Sequence, residues 1–505
     1  MSFSLLDVFI VIVYMTGTTA LGFWIGRKQK NTTDYFLGGK AIPWFAVTLS
    51  LVATETSVLT FIGIPAISYQ GNCTFIQLIL GYVVGRMVVA GLMLPAYYRG
   101  SIETAYHFLG RRFGQKMRNI AGLTFMATRL LADGVRLFAT AIPLAIIMKG
   151  SGLFGGLSDD QFYICSILLI GFITMLYASF GGIKSVIWVD MIQWTVYIGG
   201  AVLACIMIVR QLPHGLKDVV EMTASRGKML WFDAGTELTP AEFIKQPYTF
   251  FTAVIGGAVF TLASHGTDQL MVQRLLTCGN LRSSQKALIC SGFVVFFQFL
   301  LFLAIGLLLF TYYGGQDYQQ LGLLRADGIL PKFVVEVMPT GISGLIVAAL
   351  FAAAMSSLAG SVSSLSSSAV LDIYMPVFGK DKSPSQLMVV SRLATVLWSV
   401  LLTGTAIAFI NLKGTVVETA LSVASYTYGG LLGTFLLGLF CKKARQQDAV
   451  TGFIVALVTM AVLIRSIDIA WPLYTLVGSA TAVATGLLSS VLFKNKSALQ
   501  ESIHE

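Results

Sequence analysis

Apolar residues in this chain gather in long runs almost free of charge. Eighteen or more such residues make a helix long enough to cross the ~30 Å hydrocarbon layer of a bilayer. Read against Gly, Pro and charged breakers, the runs predict thirteen spanning helices, at about residues 5–26, 42–69, 74–98, 119–148, 160–181, 185–211, 248–272, 284–314, 340–370, 386–411, 415–440, 447–466 and 470–493. Two longer connections, 212–247 and 315–339, are amphipathic (Leu230, Trp231, Phe232; Leu321 to Leu324) and predict short helices over one mouth of the bundle.

Composition agrees with this pattern. Of 505 residues 56% are hydrophobic and 11% charged, where an ordinary soluble domain has about 25% charged. The chain therefore reads as an all-α polytopic membrane protein and not as a large water-soluble enzyme. Basic residues fall in alternate connections: Arg27, Lys28, Lys30 and Lys40 after the first span, Arg99, Arg111, Arg112, Lys116 and Arg118 after the third, then Lys184, then Arg274, Arg282 and Lys286. Lys380 and Lys382, Lys442, Lys443 and Arg445, and finally Lys494 and Lys496 continue the series. The positive-inside rule places these connections in the cytoplasm, with the N-terminus outside and the C-terminus inside. The first run contains Asp7 and has no basic residue before it, and the basic cluster follows it, the wrong flank order for a cleaved signal peptide. Cytoplasmic loops thus account for the net charge of +10, and no basic element interleaved with aromatics points to nucleic acid.

Several chemistries are excluded by what is missing. The six cysteines form no CxxC pair, so neither a disulfide framework nor a zinc site is indicated. No GxxxxGK[ST] occurs, which argues against an ATP-driven motor on this chain. The four histidines, His107, His214, His265 and His504, are scattered and no HExxH is present, so the chain reads as no enzyme and needs no organic cofactor.

Three spans carry polar groups where a membrane helix should be apolar. The second contains Ala53-Thr54-Glu55-Thr56-Ser57, the seventh Ser264-His265-Gly266-Thr267-Asp268-Gln269, and the ninth Ser356 and Ser357 followed by further serines from Ser361 to Ser368. The second and seventh are five spans apart and so cross in opposite directions. Interrupted helices at matching places in two opposed halves point to a secondary transporter built from inverted repeats, whose unwound carbonyls hold a small cation. Most of the serines after Ser361 read as packing residues; Ser356 and Ser357, at mid-span behind Ala352-Ala353-Ala354, read as ligands. Five ionisable groups also sit within spans: Glu55, Arg86, Arg129, Asp133 and Arg136, the last three sharing a helix face at i, i+4 and i+7. Each costs at least ~2.5–3.5 kcal/mol on insertion scales. They either form a network, such as Glu55 with Arg86 and Asp133 with Arg129, or meet a solute. In the second case Arg136 suits a carboxylate and Glu55 suits hydroxyls or an amine. Ser57, Thr60, Asp268 and Tyr426 are further candidates for the solute site, with Phe251 and Tyr426 as candidate gate aromatics.

Six strings resemble the sodium/solute symporter family, which includes bacterial sugar, sialic acid and proline symporters: Tyr35 to Gly39, Thr104-Ala105-Tyr106 with Arg112-Phe113-Gly114, Gly181 to Asp190, Asp268 to Arg274, Phe351 to Ser357, and Leu432 to Gly438. They occur in order, and the resemblance runs from about residue 5 to 445. The resemblance implies a LeuT-type core of ten helices in two inverted halves at 42–440, with 1–41 and 441–505 peripheral. It implies a sodium site made by the main-chain carbonyls of Ala53, Thr56 and Ala353 and the hydroxyls of Ser356 and Ser357, with Asp190 close by. Where some relatives bind another sodium, this chain has Ala359 and Gly360, so one sodium per cycle is expected. Where relatives that take sialic acid have an arginine, it has Ala132, which disfavours that solute. The expected protein is thus a sodium-coupled uptake symporter for a small polar organic solute (sugar, organic acid or amino acid), embedded in the bacterial inner membrane and sufficient as a monomer. A proton-coupled carrier of the same fold, or a membrane sensor or channel, is the alternative.

Overall fold

The computed structural model describes residues 4–27, 29–100, 102–150, 156–323, 325–379, 381–410 and 416–501; Lys28, Leu324, Lys380, His504 and residue 415 lie outside these. Every regular element among the described residues is a helix. The long ones are α1 (Leu5–Gly26), α2 (Trp44–Glu55), α3 (Val58–Gln70), α4 (Ile76–Val88), α5 (Gln115–Gly150), α6 (Asp159–Gln211) and α7 (Phe250–Gly266). They continue as α8 (Gln269–Leu275), α9 (Leu281–Tyr312), α10 (Ile342–Ser367), α11 (Pro384–Ala408), α12 (Val416–Phe440), α13 (Gln446–Ser466) and α14 (Tyr474–Glu501). Among the described residues, eight helical stretches are long and apolar enough to cross a bilayer, or ten if each sharply bent pair is one crossing.

α6 spans two of the expected crossings. Its 53 residues would run about 80 Å as one rod, far more than the hydrocarbon layer. The chain changes direction at Gly182, with φ 55° and ψ −164°, a conformation that a Cβ would strain. A Cβ there would also lie 2.6 Å from the Tyr35 carbonyl. The connection expected beside Lys184 is therefore a kink rather than a loop.

The two expected interruptions are present. Between α2 and α3, Thr56 (φ −82°, ψ 105°) and Ser57 (φ −96°, ψ 174°) leave helical geometry. Between α7 and α8 the axis bends by 67° through Thr267 and Asp268. α10, for all its serines, is unbroken. Of the eight long apolar stretches among the described residues its own is the most enclosed: 89% of it is buried, against 22% for α1, 33% for α11 and 28% for α13. On the rim, Val389, Leu393, Leu397 and Val400 form an outward stripe at helical spacing, each more than half exposed. Such an apolar stripe needs lipid to cover it.

Short helices at Leu216–Ser225, Pro240–Phe243 and Ile329–Val337 occupy the two long connections. The stretch Leu230–Phe232 is irregular instead of helical; it runs beside the start of α4, where the Leu230 carbonyl accepts the Cys73 N–H at 3.1 Å.

Candidate ion and solute site

The last hydrogen bond of α2 runs from the Thr56 N–H to the Val52 carbonyl at 3.0 Å; the next helix starts at the Ser57 carbonyl, which accepts from Thr60 and Phe61. The carbonyls of Ala53, Thr54, Glu55 and Thr56 thus lack the N–H that a continuing helix would supply. Ala53 and Thr56 are buried, and the Thr56 hydroxyl already accepts from Gln298 Nε2 at 2.5 Å, leaving its carbonyl as the free oxygen. Ala353 differs, since it lies within α10 and its carbonyl faces the N–H of Ser357 in the ladder.

Beside this break lies a fully buried cluster around Asp190. Ser50 Oγ donates to its Oδ2 at 2.6 Å and Ser356 Oγ to its Oδ1 at 2.7 Å, with Thr54 Oγ1 at 3.4 Å. Arg274 of α8 completes it, 3.1 Å from Oδ2 through Nη2 and 2.9 Å from Ser50 through Nε. α2, α6, α8 and α10 therefore meet at one carboxylate. The two serines of α10 diverge: Ser357 Oγ has no hydrogen-bond partner and lines a cavity of about 10 Å³, room for one water-sized guest, with Asp133, Arg136, Thr140 and Ser361.

The intramembrane charges are paired. Glu55 holds Arg86, whose Nε and Nη1 remain without partners, and His265 Nε2 lies 3.8 Å from the same carboxylate oxygen. Arg129 bonds Asp268 and the Tyr428 hydroxyl (2.8 Å), and Tyr428 donates in turn to Asp268 at 2.8 Å. Asp133 lies 3.4 Å from Arg129 and 3.5 Å from Arg136 and accepts from Ser361 at 2.5 Å. Asp268 also caps α8, accepting the Leu270 N–H at 2.9 Å. The second break is thereby tied to α5 and α12.

A model described as the sodium:solute symporter family matches residues 35–456. The chain belongs to the sodium:solute symporter family. This symporter is 29% identical to the sodium/sialic acid symporter SiaT of Proteus mirabilis (strain HI4320), over 97% of this chain and 96% of that one. It is equally 29% identical to the sodium/sialic acid symporter NanT of Aliivibrio fischeri (strain ATCC 700601 / ES114), over 98% and 94%. A solved structure of a Na+-coupled sialic acid symporter in a substrate-bound, outward-open state matches with a TM-score of 0.84 at 29% identity, covering 97% of this chain and 98% of that chain. The protein is accordingly a sodium-coupled symporter of small solutes, in a family of transporters rather than enzymes.

The candidate residues of the symporter fall into three groups: Asp190 with Ser356, Glu55 with Arg86, and Asp133 with Arg136 and, through Arg129, with Asp268. Ser57 is buried at the α2 break and Thr60 half-buried one turn on. Arg136 lines the cavity with its side chain 29% exposed. Tyr426 is half-buried and stands outside the ionic network, which takes Tyr428 instead; two residues along a helix turn about 200°, so only one of the pair faces α5. Phe251, expected as a gate, is 55% exposed and meets Phe250 edge-on, because the first turn of α7 presents it outward. Arg274 and Arg118, expected as loop charges, are buried partners of Asp190 and of Asp372 (2.8 Å). Ser50, Gln298 and Tyr428 were not singled out by the sequence, and Arg274 only as a loop charge and as the end of a family string. Only a polar residue at core-facing phase, such as Ser50 one turn before Thr54, offered a signal.

Proposed function

We propose that this symporter carries one sodium ion per cycle inward together with a small polar organic solute, by alternating access between two inverted five-helix halves within residues 42–440. The flanks 1–41 and 441–505 are peripheral to that core, the thirteen crossings run from an outside N-terminus to a cytoplasmic C-terminus in the bacterial inner membrane, and one copy suffices. The sodium ligands are the carbonyls of Ala53, Thr56 and Ala353 and the hydroxyls of Ser356 and Ser357, oxygen donors suited to a hard cation. The observation that carries this reading is the break at Thr56–Ser57, which frees buried carbonyls beside the Ser356–Asp190–Arg274 cluster. Asp190 supplies negative charge near the ion, offset by Arg274. A Cβ at Gly360 would lie 2.8 Å from Arg274 Nη2, so a guanidinium fills the place next to Ala359 and Gly360 and favours a single sodium.

The solute site lies among Glu55, Ser57, Thr60, Arg86, Asp133, Arg136 and Asp268, with sugars, organic acids and amino acids as candidate cargo. SiaT and NanT are sialic acid carriers by name; Ala132 in this chain disfavours that solute. At 100 mV a single inward charge contributes ~2.3 kcal/mol, enough for roughly fiftyfold accumulation. Uptake of a solute panel into proteoliposomes, driven at fixed pH by a sodium gradient, tests the reading; uptake driven equally well by a proton gradient without sodium would overturn it.

A further inference from the structure

α1 stands outside the proposed ten-helix core, yet it is fastened to both helices that carry Asp190 and Ser356. Its buried face is Asp7, Val11, Met15, Thr18, Gly22 and Gly26. At the outer end, Asp7 Oδ1 accepts the Gly341 N–H (2.7 Å), the Gly344 N–H (2.8 Å) and the Ser343 hydroxyl (2.8 Å). Its Oδ2 accepts the Ser4 N–H (2.7 Å) and hydroxyl (2.9 Å). The donors on Oδ1 lie at the start of α10, which has no other side-chain cap and whose first N–H groups find no carbonyl within the helix. At the inner end, Ser185 Oγ donates to the Gly22 carbonyl at 2.7 Å. A Cβ on Gly22 would lie 2.6 Å from Tyr177 Cβ, and one on Gly26 2.5 Å from Gly181 Cα, the close backbone approach that small residues four apart permit in membranes.

We propose that Asp7 is a positioning residue for the sodium site: by capping α10 from α1 it sets the axial height of that helix, and so of Ser356 against the freed carbonyls of Ala53 and Thr56. Fifteen residues of unbroken helix, about 22 Å, carry the register from Gly341 to Ser356. The inference rests on the sodium site proposed above.

The matched control is Asp448, also fully buried, which accepts from the Arg445 N–H (2.9 Å) and Ser489 Oγ (2.6 Å) to join α13 to α14, away from that site. Sodium, balanced with choline, is titrated against the thermal unfolding midpoint of the purified full chain. Asp7→Asn and Asp448→Asn should both lower the midpoint in choline alone. Only Asp7→Asn should raise the sodium concentration that gives half of the stabilisation, by about threefold or more, the fraction of a charge-assisted hydrogen bond that couples to the ion. If Asp7→Asn does not fold, Ser343→Ala removes one of the bonds and should give a smaller displacement in the same direction. A wild-type sodium curve in the Asp7 or Ser343 variant, or an equal displacement in Asp448→Asn, overturns the inference. A wild-type chain indifferent to sodium is a distinct failure, of the sodium site itself, and removes the inference with it.

Discussion

Arg274 Nη2 stands 3.1 Å from Asp190 Oδ2, and neither side chain reaches solvent. Ser50 bridges the two, donating to the carboxylate and accepting from the guanidinium, so α8 is bolted to α6 through α2. Removing one partner of a buried pair leaves an uncompensated charge and costs about 3–5 kcal/mol, whereas replacing both is far milder. Arg274→Met should therefore destabilise strongly, and Asp190→Asn in the same chain should restore much of the loss. Thermal unfolding of the two single variants and the double one measures this coupling.

Ser357 contributes a hydroxyl with no partner, whereas the Ser356 hydroxyl is committed to Asp190. Ser357→Ala should consequently stay within about 0.5 kcal/mol of wild type in stability, while Ser356→Ala should lose about 1–3 kcal/mol by stripping a bond from a buried carboxylate. Both should weaken the response of the thermal midpoint to added sodium. An unchanged sodium curve in both would contradict the ligand assignment.

Tyr428→Phe deletes a hydroxyl shared by Arg129 and Asp268, leaving both buried groups short of a bond, for a loss of about 1–3 kcal/mol. Tyr426→Phe should leave stability unchanged. Unfolding midpoints of the pair read the difference directly.

Gly182→Ala places a methyl group 2.6 Å from the Tyr35 carbonyl at a positive φ. Strain of this kind costs about 1–3 kcal/mol, and here it would act on the one kink that turns α6. Lower yield of folded chain by size exclusion and a depressed unfolding midpoint are the expected outcomes.

His107, on the amphipathic helix between the third expected span and α5, is held down to about 4 by burial, then by Arg118 and Arg111. Its ordinary value is near 6.5, so the unfolded chain binds the proton more readily. The stability it contributes is complete above about pH 6.5 and drains away as pH falls toward 4. His107 is only half-buried, and solvent screening limits the loss to about 1 kcal/mol by pH 5. His107→Gln should flatten that limb of the midpoint-against-pH curve and leave the values at pH 7 to 8 in place.

The breaks in α2 and α7 were readable because runs of polar residues and glycine stand out against apolar surroundings, and a membrane helix has no water to excuse them. The pairing of Glu55 with Arg86 and of Arg129 with Asp133 was one of two readings that the cost of lone charges and i, i+4 spacing left open. The partner of Arg274 was not readable, because a buried basic residue at the end of a span has the same sequence context as one in a loop, and only the fold brings Asp190 to it. Adjacent residues on a helix diverge by about 100°, so Ser356 and Ser357 looked alike in sequence yet meet a carboxylate and a cavity respectively. Tyr426 and Tyr428 differ for the same reason of phase, and only Tyr428 meets Arg129 and Asp268. The bond from Asp7 to the start of α10 joins residues more than three hundred positions apart, beyond the reach of any local pattern.

α10 is wrapped by protein on nearly every side, so the serines it carries are insulated from the acyl chains around the molecule. A thicker or thinner bilayer is met at the perimeter, where α11 and α13 tilt or slide against lipid at a small cost per ångström. Ion affinity should thus hold nearly constant across vesicles of different chain length, while insertion and overall stability follow the lipid.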